Sequence, residues 1–331
     1  MKLAKIFSSH MVFAKNKPIR IFGEGRGRAT VRFAGEVREI VSEADTWLVE
    51  LPAMESGGPY TLEVVFEDER VVLEDIYVGI LLLLSGQSNM ELPLTCTNYP
   101  LDTIEKNDAL RFFAVHYDPA EDAGFALCEG ENIHSFSAVG YVAGKEIAEK
   151  TGEKVGLVGC YQGSSVIESW VPRGAFAAVG IDIPIEQKAP NHSHPSCVDF
   201  NGDGMLYEGR LARLFPMSFN AVAWYQGEAD TSEAEAAVYD RELAALIAAW
   251  RTAFLDETLP FTLVQLADYL TCMKERGMGW VWVQTAQTRV AEDVPYVRTV
   301  VCRDICENDN IHPRSKTALG HRVAESLMKQ I

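Results

Sequence analysis

The chain has 331 residues, of which 47% are hydrophobic and 23% charged, and its formal net charge is −17. That length accommodates one large α/β domain with a small second domain, and an acidic chain without a basic block argues against nucleic acid or an anionic membrane surface as partner. No run reaches the roughly 18 apolar residues of a membrane span, and the basic start at Met1-Lys2-Leu3 leads into no apolar run of signal-peptide length, so a cytoplasmic setting is expected. Up to about residue 77, short apolar stretches recur at 19–22, 29–33, 46–51, 60–66 and 71–78, separated by turn signals such as Gly23-Glu24-Gly25 and Ser56-Gly57-Gly58-Pro59. Alternation is clearest in Thr61-Leu62-Glu63-Val64-Val65-Phe66, and the spacing predicts a small all-β sandwich domain over 1–77.

From about residue 78 the pattern becomes strand, helix, strand. Strands are predicted at 79–84, 155–159, 219–224, 261–266 and 298–302, with helices at 138–150, 232–254, 280–292 and 315–329. The helix at 232–254 opens with acidic residues, which suits the helix dipole. This alternation predicts an α/β domain over 78–331, built on a five-stranded parallel sheet with helices on both faces. The stretches 92–134 and 171–210 carry little periodicity and read as long loops, where pocket walls are usually built. The seven cysteines, Cys96, Cys128, Cys160, Cys197, Cys272, Cys302 and Cys306, are odd in number and scattered. They fit reduced thiols better than a disulfide framework or a zinc site.

Four places carry groups capable of chemistry, each following a predicted strand. Ser88 lies in Ser85-Gly86-Gln87-Ser88-Asn89-Met90-Glu91, directly after the apolar run Ile80–Leu84. The spacing resembles a Gly-x-Ser-x-Gly nucleophile elbow, except that Met90 stands where the second Gly would be. Gly163 in Gly163-Ser164-Ser165 can bring a backbone N–H close to a ligand. Gln226 in Trp224-Tyr225-Gln226-Gly227-Glu228 offers an amide donor to a developing oxyanion, and Glu228 a carboxylate to orient a histidine. Finally, Asp309-Asn310-Ile311-His312-Pro313 sets an Asp three residues before a His, so that a carboxylate can face one imidazole nitrogen and a serine the other. Taken singly, each reads equally as a turn, a polar loop or a cap. Together they supply nucleophile, base, orienter and oxyanion donors from one edge of one sheet. His192 and His194 form a His-x-His pair on a loop with no further ligands beside it, so neither a metal nor a cofactor is expected.

These four blocks resemble those of the SGNH/GDSL hydrolase superfamily, and more closely its sialate O-acetylesterase and carbohydrate acetylesterase branch. The matching residues are 85–91, 163–170, 224–228 and 310–313 with Lys316; Met11-Val12-Phe13, residues 47–52 and Gly57-Gly58-Pro59-Tyr60-Thr61-Leu62 are similar as well. The resemblance implies a flavodoxin-like SGNH sheet and a serine carbohydrate esterase that removes O-acetyl groups from sugars. Sialic acid, acetylated xylan and other acetylated glycans stand open as substrates, and so does the oligomeric state. It implies Ser88 as nucleophile, His312 as base and Asp309 or else Glu228 as triad acid. The Ser88 and Gly163 N–H groups and the Gln226 amide are implied as oxyanion donors, and Gln87, Asn89, Trp170, Arg173 and Tyr99 as substrate contacts; Trp170 reads equally as core. Two departures stand out: Ser164 replaces a usual Gly, and Asn310 a usual Asp. A reading of another class makes the chain an inactive carbohydrate-binding or scaffold protein, against which stands the presence of Ser88, Gln226 and His312 together.

Overall fold

The computed structural model describes residues 1–67, 69–275 and 277–331. Its longest strand, Arg70–Gly86, organises the rest. The first part alternates exposed or half-buried residues with more buried ones, while the second, through Ile80–Leu84, is buried on both faces. Alternation suits a sheet with one wet face, and a continuous apolar run suits a parallel sheet covered on both sides. Up to residue 78 this strand pairs antiparallel with Gly57–Phe66; from Ile80 onward it pairs parallel with Val155–Tyr161 on one side, and from Leu82 with Ala221–Tyr225 on the other. The boundary expected between 77 and 78 thus falls inside one continuous strand. Each of Ile80–Leu84 is fully buried, and burying such a side chain stabilises the fold by about 2 kcal/mol.

Residues 1–66 contribute strands and, among the described residues, no helix. Lys2–Leu3, Ile19–Glu24 and Thr46–Leu51 form a three-stranded sheet. Gly27–Phe33 pairs with Glu36–Ser42 and with Gly57–Phe66, which joins this part to the large sheet.

The five parallel strands expected are present, with Val155–Tyr161, Arg70–Gly86, Ala221–Tyr225, Phe261–Val264 and Val297–Val300 side by side. The count of five is corrected, because Asn107–Ala114 adds a sixth parallel strand beside Val155–Tyr161, and Ala126–Cys128 pairs antiparallel outside it. Both lie in the stretch 92–134 expected to be loop. Asn107–Ala114 opens on two polar residues and carries Arg111 in mid-strand, so it shows neither alternation nor an apolar run; pairing with Val155–Tyr161 decides its conformation. The expected helix 232–254 is likewise two: Ser232 caps Glu233–Ala236 through the Glu235 N–H, and Tyr239–Ala253 follows. Ala138–Thr151 packs on Lys316–Met328, and Tyr239–Ala253 on Gly279–Asp293. No helix of the described residues is long and apolar enough to cross a membrane.

Candidate active site

The three central strands end together, and their ends are tied. At Gly86 the backbone turns with φ +130, and a Cβ there would lie 2.1 Å from the Tyr225 carbonyl oxygen, so only glycine fits. The Gln87 N–H donates to that same carbonyl at 2.9 Å, and the Gln162 N–H to the Gly86 carbonyl at 3.0 Å. The chain then enters one helical turn, Ser88–Glu91, whose Met90 and Glu91 N–H groups donate to Gln87 O. Ser88 is left half-buried at the carboxyl edge of the sheet, where open α/β sheets hold ligands. Gln87 is itself buried, and its Oε1 accepts from the Gly227 and Ala229 N–H groups at 3.1 and 3.3 Å.

His312 arrives from the turn after the last strand, and its Nε2 lies 2.9 Å from Ser88 Oγ. The nucleophile and base expected from sequence are therefore in hydrogen-bond contact across 224 residues of chain. Burial, and then the Lys316 ammonium, hold the His312 imidazole below its ordinary pKa. This keeps it neutral and able to take a proton near pH 7. Neither candidate acid is placed against the ring. Asp309 is exposed and makes no side-chain hydrogen bond or ion pair among the described residues. Glu228 is buried, and its Oε1 accepts from Asn89 Nδ2 at 2.6 Å. What fixes the histidine is main chain: Asn310 Oδ1 accepts the His312 N–H at 2.9 Å, and the neighbouring Ile311 carbonyl accepts from Asn89 Nδ2 at 2.9 Å.

Asn89 is thus a bridge. Besides its two donations, its Oδ1 accepts from Lys316 Nζ at 2.6 Å, and the residue is almost fully buried. The expected substrate contact Asn89 is corrected on this ground, since its amide holds the Ser88 turn to the loops beside it, whereas Gln87 ties that turn to residues 227–229 through its Oε1 alone. Lys316 is also buried, and its ammonium sits 5.2 Å above the Tyr225 ring centroid. Burial lowers its pKa, while burial raises that of Glu228.

On the other side of Ser88 lies Gly163. A Cβ at this position would stand 3.6 Å from Ser88 Cβ and 3.0 Å from Glu91 Oε2. Burial pushes the Glu91 carboxyl up, and the Gly163 N–H opposes this only in part. Ser164 takes φ +62, the left-handed region where glycine is at ease. Its carbonyl accepts from Asn201 Nδ2 at 2.9 Å and Asn191 Nδ2 at 3.2 Å, which holds the turn in place. Gln226 is corrected as an oxyanion donor. It is fully buried, its Nε2 donates to Ser165 O at 2.9 Å and to the Asp230 carboxylate, and its Oε1 accepts from the Tyr239 hydroxyl at 2.8 Å. The amide is consumed behind the site.

Trp170 is core, the alternative kept open above. It is 0% exposed, it packs edge-on against Trp224 at 6.0 Å, and its Nε1 donates to Ser165 Oγ. Arg173 is exposed and paired with Glu208 at 3.1 Å, and half-buried Tyr99 packs edge-on against Tyr141 at 5.4 Å. His194 is exposed, with Nδ1 2.7 Å from Ser196 Oγ. His192 has partners that its sequence neighbourhood did not show, for its Nε2 lies 2.7 Å from Glu235 Oε1.

Residues 78–329, which contain Ser88, Gly163 and His312, match the family described as carbohydrate esterase, sialic acid-specific acetylesterase. The chain belongs to this family. Similar to this chain are the sialate O-acetylesterases of Pongo abelii and Homo sapiens, each 27% identical. The alignments cover 90% and 87% of this chain but 62% and 61% of those proteins, so the chain spans about three fifths of their length. A carbohydrate acetylesterase from Xanthomonas citri has a similar structure, with a TM-score of 0.85 at 28% identity; the match covers 99% of this chain and 75% of that one.

Two residues of this family member went without a role in the sequence reading although they stand in the quoted blocks. Lys316 follows the His-Pro turn and reaches back to Asn89, and Glu91 ends the serine block beside Gly163. A third, Arg210, had no signal at all. It is buried, and its Nη1 donates at 2.9 Å to the Oε1 of Gln162, the residue before Gly163.

Proposed function

We propose that this chain is a serine carbohydrate esterase that removes O-acetyl groups from sugars, with O-acetylated sialic acids as the first substrate class. The observation that carries the reading is the 2.9 Å contact between His312 Nε2 and Ser88 Oγ in a chain of this family. Ser88 attacks the acetyl carbonyl while His312 takes its proton; the sugar leaves with that proton, and an acetyl-enzyme remains. His312 then takes a proton from water, which attacks the acyl group, and acetate and free Ser88 result. The Ser88 and Gly163 N–H groups are the proposed oxyanion donors, each worth ~100-fold or more in turnover. His312 is oriented through its main chain by Asn310 and Asn89. In the same reading, residues 78–331 are an SGNH-type hydrolase domain and residues 1–77 a β-sandwich that stiffens the strand leading to Ser88. The inactive-scaffold reading is disfavoured, because a chain without esterase activity has no need of a neutral imidazole on a half-buried serine.

The test is acetate release from 9-O-acetylated sialic acid and from acetylated xylo-oligosaccharides by the purified protein and by Ser88→Ala. Serine-dependent release from the sialic acid ester alone is expected. Release from the xylan fragments alone moves the substrate class, and release by the alanine variant sinks the nucleophile assignment.

A further inference from the structure

Behind the active-site loops lies a cluster that the esterase chemistry does not use. His192 in the turn Pro190–His192, Asp230 in Glu228–Asp230 and Glu235 in the helix Glu233–Ala236 bring one ligand atom each to within 4.8 Å of one another. Their side chains are buried: that of His192 is 5% exposed and that of Glu235 4%. Glu242, from the first turn of Tyr239–Ala253, is also buried, and its Oε2 has no hydrogen-bond partner. Burial first, and then the neighbouring charges of Glu235 and Glu168, push its carboxyl up to about 8. It also lines a hollow of about 210 Å³ together with Glu168, Lys188, Asp182 and Asp203.

Three buried carboxylates, Asp230, Glu235 and Glu242, converge there, while Lys188 is already paired with Glu168. Burial pushes the carboxyls of Asp230 and Glu242 up, so without a cation beside them they hold protons. Glu168 Oε2 also stands 3.6 Å from His192 Nδ1. A carboxylate on one imidazole nitrogen is how proteins fix the tautomer that frees the other nitrogen for a metal.

We propose that His192 Nε2, Glu235 Oε1 and the Asp230 carboxylate bind a divalent first-row cation of the Mn²⁺ or Zn²⁺ type, with Glu242 as a further oxygen donor. One imidazole with several carboxylates suits these ions better than Ca²⁺, which prefers oxygen alone. Bonds of about 2.1 Å place ligand atoms roughly 3–4 Å apart, so the three atoms need move by less than about 1 Å. The ion takes the place of the proton on His192 Nε2 and of those on the Asp230 and Glu242 carboxyls, which leave to solvent. It is a structural ion, clamping the 189–192 loop onto the turn whose Asp230 holds the Gln226 amide and the Ile167 N–H.

The experiment uses the full chain after dialysis against a chelator. Mn²⁺ is titrated in and bound ion is counted from the loss of the free-ion electron paramagnetic resonance signal; Zn²⁺ is then used to displace it, and melting is followed in parallel. One Mn²⁺ per chain at micromolar concentration is expected, with displacement by Zn²⁺ and a melting temperature about 4 °C higher at saturation. His192→Gln, whose amide can still donate to Glu235, is expected to bind at least tenfold more weakly and to lose the thermal shift. Glu242→Gln provides the second variant, and weakened binding by it also supports the site should His192→Gln fail to fold. A folded wild-type chain that binds neither ion below about 1 mM overturns the proposal, as does micromolar binding unchanged in both variants.

Discussion

Removing the Asn89 amide is expected to cost both stability and turnover while leaving substrate affinity alone. Its Nδ2 donates to Glu228 Oε1 at 2.6 Å and to Ile311 O at 2.9 Å, and its Oδ1 accepts from Lys316 Nζ at 2.6 Å. Two of these bonds involve ionisable partners, worth about 1.5–3 kcal/mol each, and the bond to the carbonyl adds about 1 kcal/mol. Because Glu228 and Lys316 stay buried without this partner, Asn89→Ala should lower stability by about 4–7 kcal/mol. That is a large share of the 5–15 kcal/mol typical of a domain. The Ile311 carbonyl precedes His312, so losing its tether lets the imidazole drift from Ser88; a displacement of 1 Å commonly costs ~100-fold in rate. Urea unfolding gives the first quantity, and steady-state hydrolysis of a short-chain acetyl ester the second. The expected pattern is a kcat about 100-fold lower with KM within about twofold. If KM rises at constant kcat and stability moves by less than about 1 kcal/mol, Asn89 contacts the sugar and the bridging argument is wrong.

Other substitutions test the remaining parts of the site. His312 must be neutral to accept the Ser88 proton and is held below 6.5 by burial and by Lys316. The acid limb of kcat/KM should therefore lie below pH 6.5, with activity lost as pH falls through it; Lys316→Met removes the ammonium and should move that limb upward, and an unmoved or lowered limb refutes the coupling. Gln226→Ala should cost about 3 kcal/mol of stability by stranding Asp230 and the Tyr239 hydroxyl, whereas a ~100-fold fall in kcat at unchanged stability would restore it as an oxyanion donor. Ser164→Gly relieves a residue at φ +62 and should stabilise by about 1 kcal/mol, seen as a melting point roughly 2 °C higher; a lower melting point refutes the strain.

What could be read from the sequence divides along a physical line. Ile80–Leu84 announces a doubly buried strand because all five residues are apolar, and Ser88 and His312 announce themselves by lying just past strands. Side-chain amides behave otherwise. Gln87, Asn89 and Gln226 look like ligand contacts in sequence, since a polar residue beside a nucleophile has no visible partner. In the fold the Asn89 and Gln226 amides and the Gln87 Oε1 are spent on protein groups, some of them 61 to 227 residues away. The strand Asn107–Ala114 and the pairing of His192 with Glu235 stay hidden for the same reason: only distant chain, folded against them, gives them their conformation and their partner.

The departure at Asn310 gains its meaning from this geometry. An Asp at that position would accept the His312 N–H through Oδ1 as Asn310 does, so the turn that presents the imidazole survives the exchange. What disappears is a negative charge two residues from the ring. The charged neighbour that acts on His312 is Lys316, which together with burial keeps the imidazole neutral, whereas an adjacent carboxylate would favour the protonated form. Lys316 in turn is anchored on Asn89, and Asn89 on Glu228 and Ile311. The groups that set the protonation of His312 and those that set its position therefore form one connected network through Asn89, which also holds the Glu228 side chain.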